Sequence, residues 1–205
     1  MLTRLALPIL FTNVFWMMVS LVDVLMLGRW SSEAVAAALL AGVWIHLTQM
    51  LGMGLVMGID PLVTQGYGAR DREVLGRALQ RGIIVALIAS VPIVAMRFMT
   101  AEFLEATRGF AGWIRGLGDG LAPAVADAQD STSTLDDSAE RYALAQTFAT
   151  PFFLVYIAFR QQLQGRGILR PALIVAAVAN VFNFVANWFL IYELQWGITG
   201  AGVAT

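Results

Sequence analysis

Residues 18–28 read MVSLVDVLMLG, and one aspartate, Asp23, stands in the middle of this apolar run. The run extends on both sides, from about residue 5 to residue 27, which is the length of a helix that spans a bilayer. A carboxylate at the bilayer centre costs about 2.5–3.5 kcal/mol on insertion scales, so one that is kept there needs a partner or a task. Asn13, Trp16, Ser20 and Asp23 follow one another at steps of three and four, which puts them on one helical face. Leu21, Val22, Leu25 and Met26 cover the remaining sides. The first helix therefore carries a polar stripe directed at the interior of a bundle or at a water-filled cavity.

The whole chain has the same character. Of its 205 residues, 59% are hydrophobic and 13% charged, well away from the soluble average and towards a membrane protein. Cysteine is absent, which excludes a disulfide framework, a thiolate metal site and a cysteine nucleophile. The net charge of −1 and the scattered arginines exclude a nucleic-acid partner. A membrane enzyme would need a nucleophile with its base, or a metal cluster. One histidine and no cysteine supply neither, and no cofactor is expected.

Spanning segments are expected at about 5–27, 34–62, 79–99, 141–160 and 171–192, and residues 197–205 read as the entry to a sixth helix. The first segment is too long for the apolar core of a signal peptide. Arg4, Arg70, Arg72, Arg77, Arg81, Arg160, Arg166 and Arg170, eight of the thirteen arginines, fall on one side of this arrangement. The positive-inside rule makes that side cytoplasmic, with the N-terminus on it, in a multi-pass protein of the inner (plasma) membrane. Residues 100–138 are expected to form an extracytoplasmic insertion. Its first part reads as an amphipathic interfacial helix with Phe103, Leu104, Phe110, Trp113, Ile114 and Leu117 apolar, and the acidic stretch 118–138 as a mobile loop.

Other spans carry polar residues too. Asn180, Asn183 and Asn187 form one stripe on the fifth span. Three amides in hydrocarbon each require partners, either as bonds between helices or as a hydrophilic cavity wall, and both readings are open. A carboxylate near several amide oxygens suits a proton or a hard cation such as sodium. In the second span His46, Gln49 and Met53 share a face, with His46 more plausible as a hydrogen-bonded interior residue than as an active one.

The run LALPILFTNVFWMMVSLVDVLMLGRWSSEAVAAALLAG (5–42) resembles the first helices of multidrug and toxic compound extrusion (MATE) transporters. GIDPLVTQGYGARDRE (58–73) is similar to that family's second-helix exit, and residues 163–205 to its fourth-to-sixth-helix region. The resemblance implies an all-α polytopic bundle, five transmembrane helices plus the start of a sixth. That is half of a twelve-helix fold whose second, C-terminal lobe is missing. It implies export of organic, often cationic, compounds in exchange for protons or sodium ions. In the branch of DinF-type transporters the pattern of cation-site residues falls here on Asp23, Asn183 and Thr205. A second aspartate of that pattern is replaced by Asn187, which makes proton coupling the better expectation. Asn13, Trp16, Ser20, Asn180, His46 and Gln49 are expected to line the cavity. Two alternatives stand beside this one. The first is a lipid or lipid-linked oligosaccharide flippase, disfavoured because no arginine lies deep inside a span; the second is an inactive truncated fragment.

Overall fold

The computed structural model describes residues 2–106 and 132–205, and every regular element among them is helical. α1 (Leu2–Trp30) and α2 (Ser32–Met57) are joined by Ser31 alone. Ser31 is extended, and its side chain accepts a hydrogen bond from the Glu33 N–H at 3.2 Å, so α2 starts on an N-cap with an acid in its first turn. A short break at Gly58 and Ile59 leads into α3 (Asp60–Gly68), with Pro61 in its first turn. Arg70 then takes φ +57°, and Asp71 caps α4 (Arg72–Arg97) by accepting from the N–H groups of Glu73 and Val74. Residues 100–106 are again helical. α5 (Thr132–Thr147) and α6 (Thr150–Gly165) follow, then α7 (Arg170–Trp188), a π-helical turn (Phe189–Glu193) and α8 (Gly197–Ala204).

Four of these stretches are long and apolar enough to cross a bilayer: 10–30, 32–68, 72–97 and 170–193. The pair α5–α6, bent by 52°, supplies a fifth. The chain is thus an integral membrane protein whose large apolar side chains face outward, among them Met17, Val91, Phe152 and Phe182 at 74, 68, 79 and 68% exposure. Consecutive spans alternate in direction. The turns around Arg70 and Gly167 share one end, here called the lower, while Ser31 and Trp196 mark the upper.

Two packed cores hold the helices. The upper one joins α1, α2, α5, the π turn and α8 through Leu27, Ala37, Ala41, Tyr142, Ile191 and Ala201. The lower joins α2, α3, α4 and α6 through Val56, Ile59, Ala86, Ile93, Leu154 and Ile157. Small residues set the spacing in both, because helices in lipid gain mainly from close van der Waals contact. A Cβ on Gly52 would come within 2.5 Å of Ile93 Cδ1 and 2.9 Å of Leu154 Cδ2.

The structure departs from the sequence expectations in four places. The fourth span is not one rod over 141–160 but two helices over 132–165, broken at Phe148 and Ala149. Pro151 has no N–H to bond back to residue 147, and its ring would strike that carbonyl, so the helix must restart. The acidic stretch read as a loop is helical from Thr132 onward, with Arg141 and Asp137 paired at 2.8 Å one turn apart. Leu104, expected at the membrane interface, is 1% exposed in the upper core, while Phe110, Trp113, Ile114 and Leu117 lie outside the described residues. Finally, Arg97, the last residue of α4, is 0% exposed rather than turned towards solvent.

Candidate functional site: a buried carboxylate between α1, α7 and α8

Asp23 is 3% exposed, seven residues below the top of α1. Its Oδ1 accepts hydrogen bonds from Asn187 Nδ2 at 2.6 Å and from Asn183 Nδ2 at 3.2 Å. Its Oδ2 accepts from Thr205 Oγ1 at 2.6 Å. All three donors are neutral. The ion pairs found among the described residues, Arg77–Glu73 and Arg141–Asp137, lie elsewhere, so Asp23 has no basic partner there. The amide oxygens of Asn180, Asn183 and Asn187 are buried and accept nothing. One acid, one hydroxyl and three unused amide oxygens thus line the seam where α1 meets α7.

The local sequence builds this seam in stages. α1 and α7 are aligned lower down by Asn180, whose Nδ2 donates to the Phe15 carbonyl and to Ala176 in its own helix, both at 2.8 Å. Above Asn187 the α7 ladder widens into the π turn, an irregularity often found next to functional sites. Its Tyr192 hydroxyl donates to the Met26 carbonyl at 2.8 Å and ties the turn back to α1. Gly197 has φ +53°, and a Cβ on it would stand 3.1 Å from the Trp30 indole nitrogen, so a side chain there would be strained and crowded. α8 then lies hard against its neighbours. A Cβ on Gly200 would stand 3.0 Å from the Leu190 backbone, and one on Gly202 2.8 Å from Ala145 Cβ and 3.0 Å from the Tyr142 carbonyl. That close approach brings the Thr205 hydroxyl to Asp23.

All four residues expected at a coupling site, Asp23, Asn183, Asn187 and Thr205, therefore meet in one hydrogen-bonded cluster. The residues expected to line a cavity divide. Asn180 extends the cluster downward. Asn13 is exposed and accepts from Arg160 Nη2 at 3.1 Å, and Trp16, 36% exposed, meets Phe153 edge-on at 5.1 Å; both face α6. Ser20 is exposed and outside the cluster. His46 is also exposed, with Nδ1 2.9 Å from the Gly42 carbonyl of its own helix, and Gln49 is half-buried. Neither His46 nor Gln49 hydrogen-bonds to the cluster. The sequence reading missed Tyr142 and Gln146. They stand one turn apart on α5, buried, with Tyr142 beside Thr205 and Asp23. Their spacing of four within the expected fourth span was the available signal, but the polar stripes were sought only on the first, second and fifth spans.

Fold and site together define a polytopic membrane protein with a buried, uncompensated acid at a helix seam. Comparison with known proteins makes this specific. The MatE family model matches residues 8–106. A protein of Vibrio vulnificus described as "Multidrug resistance protein NorM" is 30% identical over all of this chain, which spans 41% of that relative's length. "Multidrug and toxin extrusion protein 1" of Danio rerio is 28% identical over 99% of the chain and 31% of its own length. Among solved structures, one titled "Crystal structure of MATE in the bent conformation" superposes with a TM-score of 0.79 at 20% identity, over 99% of this chain and 41% of that one. Along its whole length the chain is thus similar to MATE-family proteins, and it shares their fold. It spans about two fifths of the length of the NorM relatives it matches.

Proposed function

We propose that this chain is the N-terminal lobe of a cation-coupled antiporter of the inner membrane. The whole transporter exports organic, often cationic, compounds by alternating access, and Asp23 is its coupling acid. The observation that carries this reading is the set of bonds at Asp23, three neutral donors converging on one buried carboxylate. Hydrogen bonds to a charged group contribute roughly 1.5–3 kcal/mol each, so the charged acid clamps α1 to α7 and α8. A proton arriving on the carboxyl removes the charge and turns one oxygen from acceptor into donor. The new O–H needs an acceptor, which the unused oxygens of Asn183 and Asn187 can supply once their amides turn, and the neutral oxygens hold their three donors less strongly. The clamp weakens and α1 is released to repack. A ligand shifts such an equilibrium only by its different affinity for the two states, and this rewiring supplies the difference.

Proton coupling is favoured over sodium by Asn187. The amide that replaces a second carboxylate points a donor at Asp23, whereas a sodium ion needs oxygens turned towards it. One observation favours the flippase alternative: Arg160 sits within α6 and reaches Asn13, a basic group facing α1 where a phosphate-bearing substrate would pass.

The test uses the complete transporter reconstituted in vesicles. Asp23→Asn keeps the size and imitates the neutral acid, but can neither take up nor release a proton. Export of a fluorescent organic cation driven by a pH gradient should fall to the background of empty vesicles, with insertion unchanged. Retained pH-driven export would remove Asp23 from the mechanism, and transport of a lipid-linked sugar instead would favour the flippase.

A further inference from the structure

Arg97 ends α4, away from the Asp23 cluster, and it is 0% exposed. Among the described residues none of its three guanidinium nitrogens has a hydrogen-bond partner and no carboxylate pairs with it. A bare guanidinium in a low-dielectric interior is costly unless something negative accompanies it.

The surroundings follow from the layer beneath. Gly52, Ile93 and Leu154 touch, so α2, α4 and α6 meet at that level. One turn higher on each helix stand Thr48, Arg97 and Thr150, at 0, 0 and 1% exposure. Thr48 donates its hydroxyl proton to carbonyls of its own helix, and Thr100, just above Arg97, donates to the Arg97 carbonyl. Thr150 differs, for its hydroxyl has no partner. It opens α6, whose N-terminus no side chain caps and which restarts after the 52° break. A fixed positive charge, an unused hydroxyl and the positive end of a sixteen-residue helix therefore occupy one level. No negative group among the described residues pairs with them.

We infer that Arg97 and Thr150 hold a small monovalent inorganic anion, of halide size, at the break between α5 and α6. A single guanidinium matches one negative charge, and the complete burial of Arg97, Thr48 and Thr100 suits an ion better than a bulky headgroup. The guanidinium and the Thr150 hydroxyl donate to the ion while the end of α6 adds its dipole. The bend in the fourth span is thereby pinned from inside. This site stands whether or not Asp23 couples transport.

The test is thermal unfolding of the purified protein in detergent, followed by tryptophan fluorescence. Chloride or bromide replaces gluconate at constant ionic strength. Halide should raise the unfolding temperature saturably, by about 5 °C at concentrations far above the dissociation constant. Arg97→Gln should be indifferent to halide. Thr150→Val should need about tenfold more of it, a loss of about 1.4 kcal/mol. Bromide should also give an anomalous-scattering peak beside Arg97 in crystals of the unaltered protein, which keeps the proposal testable if Arg97→Gln fails to fold. Unaltered protein that ignores halide and shows no bromide peak would overturn the site. So would an equal halide response in Arg97→Gln, or stabilisation by phosphatidylglycerol alone, which would assign Arg97 to a lipid phosphate.

Discussion

Asp23 and Asn187 are 2.6 Å apart across the seam, so the choice between an amide and an acid at position 187 decides how many charges the site holds. Asn187→Asp would place two carboxylates in contact. At 4 Å and an effective dielectric constant of 20, two unit charges repel by about 4 kcal/mol, enough to demand a shared proton or a bound cation. The substituted protein should lose stability in sodium-free buffer at neutral pH and recover it with sodium, at least tenfold more sensitively than the parent. Choline at the same ionic strength should not restore it. Unfolding temperatures across a sodium titration check this, and a parent that responds equally would mean that Asn187 does not limit sodium binding. Asp23 and the asparagine stripe were legible in the sequence because a polar residue in hydrocarbon is conspicuous and helical spacing fixes its face. Arg97 was not. Two residues from the expected end of a span, it reads as a side chain reaching for water, and only its complete burial in the fold shows that it does not.

At the scale of elements, close packing by small residues is what delivers Thr205 to Asp23, and glycines differ in how much they matter to it. Gly202 meets the Tyr142 carbonyl and Ala145 Cβ, neither of which can step aside, whereas a Cβ on Gly42 would meet nothing within 4 Å. Gly202→Ala should therefore cost about 1–3 kcal/mol by overpacking and push α8 outward. Gly42→Ala, in the interior of α2, should stabilise by about 0.5–1 kcal/mol through helix propensity. Unfolding midpoints of the two variants give the comparison, and equal effects would show that α8 is not held by this contact. The spans themselves were readable from hydropathy, since each is a long apolar run. Their breaks were less so. Pro151 and Pro61 both begin new helices, but Pro92 lies inside an unbroken α4, so proline alone did not say which span would bend. The π turn was not readable either, because nothing in FLIYE distinguishes hydrogen bonds spaced five residues apart from bonds spaced four apart.

At the scale of the whole molecule, charge sets the direction in which the lobe faces the membrane. The lower turns carry Arg70, Arg72, Arg77, Arg81, Arg166 and Arg170, while the tight upper turn at Ser31 is followed by the acidic Glu33. An arginine excess on short loops is retained in the cytoplasm during insertion, so the lower end should lie inside the cell and Ser31 outside. These 205 residues hold no cysteine, so a single thiol introduced among them meets no other thiol in this part of the protein. Glu33 and Arg77 are both exposed, and Arg77 gives up only a surface ion pair with Glu73 at 3.5 Å, worth less than about 1 kcal/mol. In intact cells a membrane-impermeant maleimide should label Glu33→Cys and leave Arg77→Cys untouched until the membrane is opened. The reverse pattern would turn the lobe over. Asp23, nearer the upper end, would then meet its proton from the cytoplasm, and a proton gradient directed into the cell would no longer load it in the outward-open state.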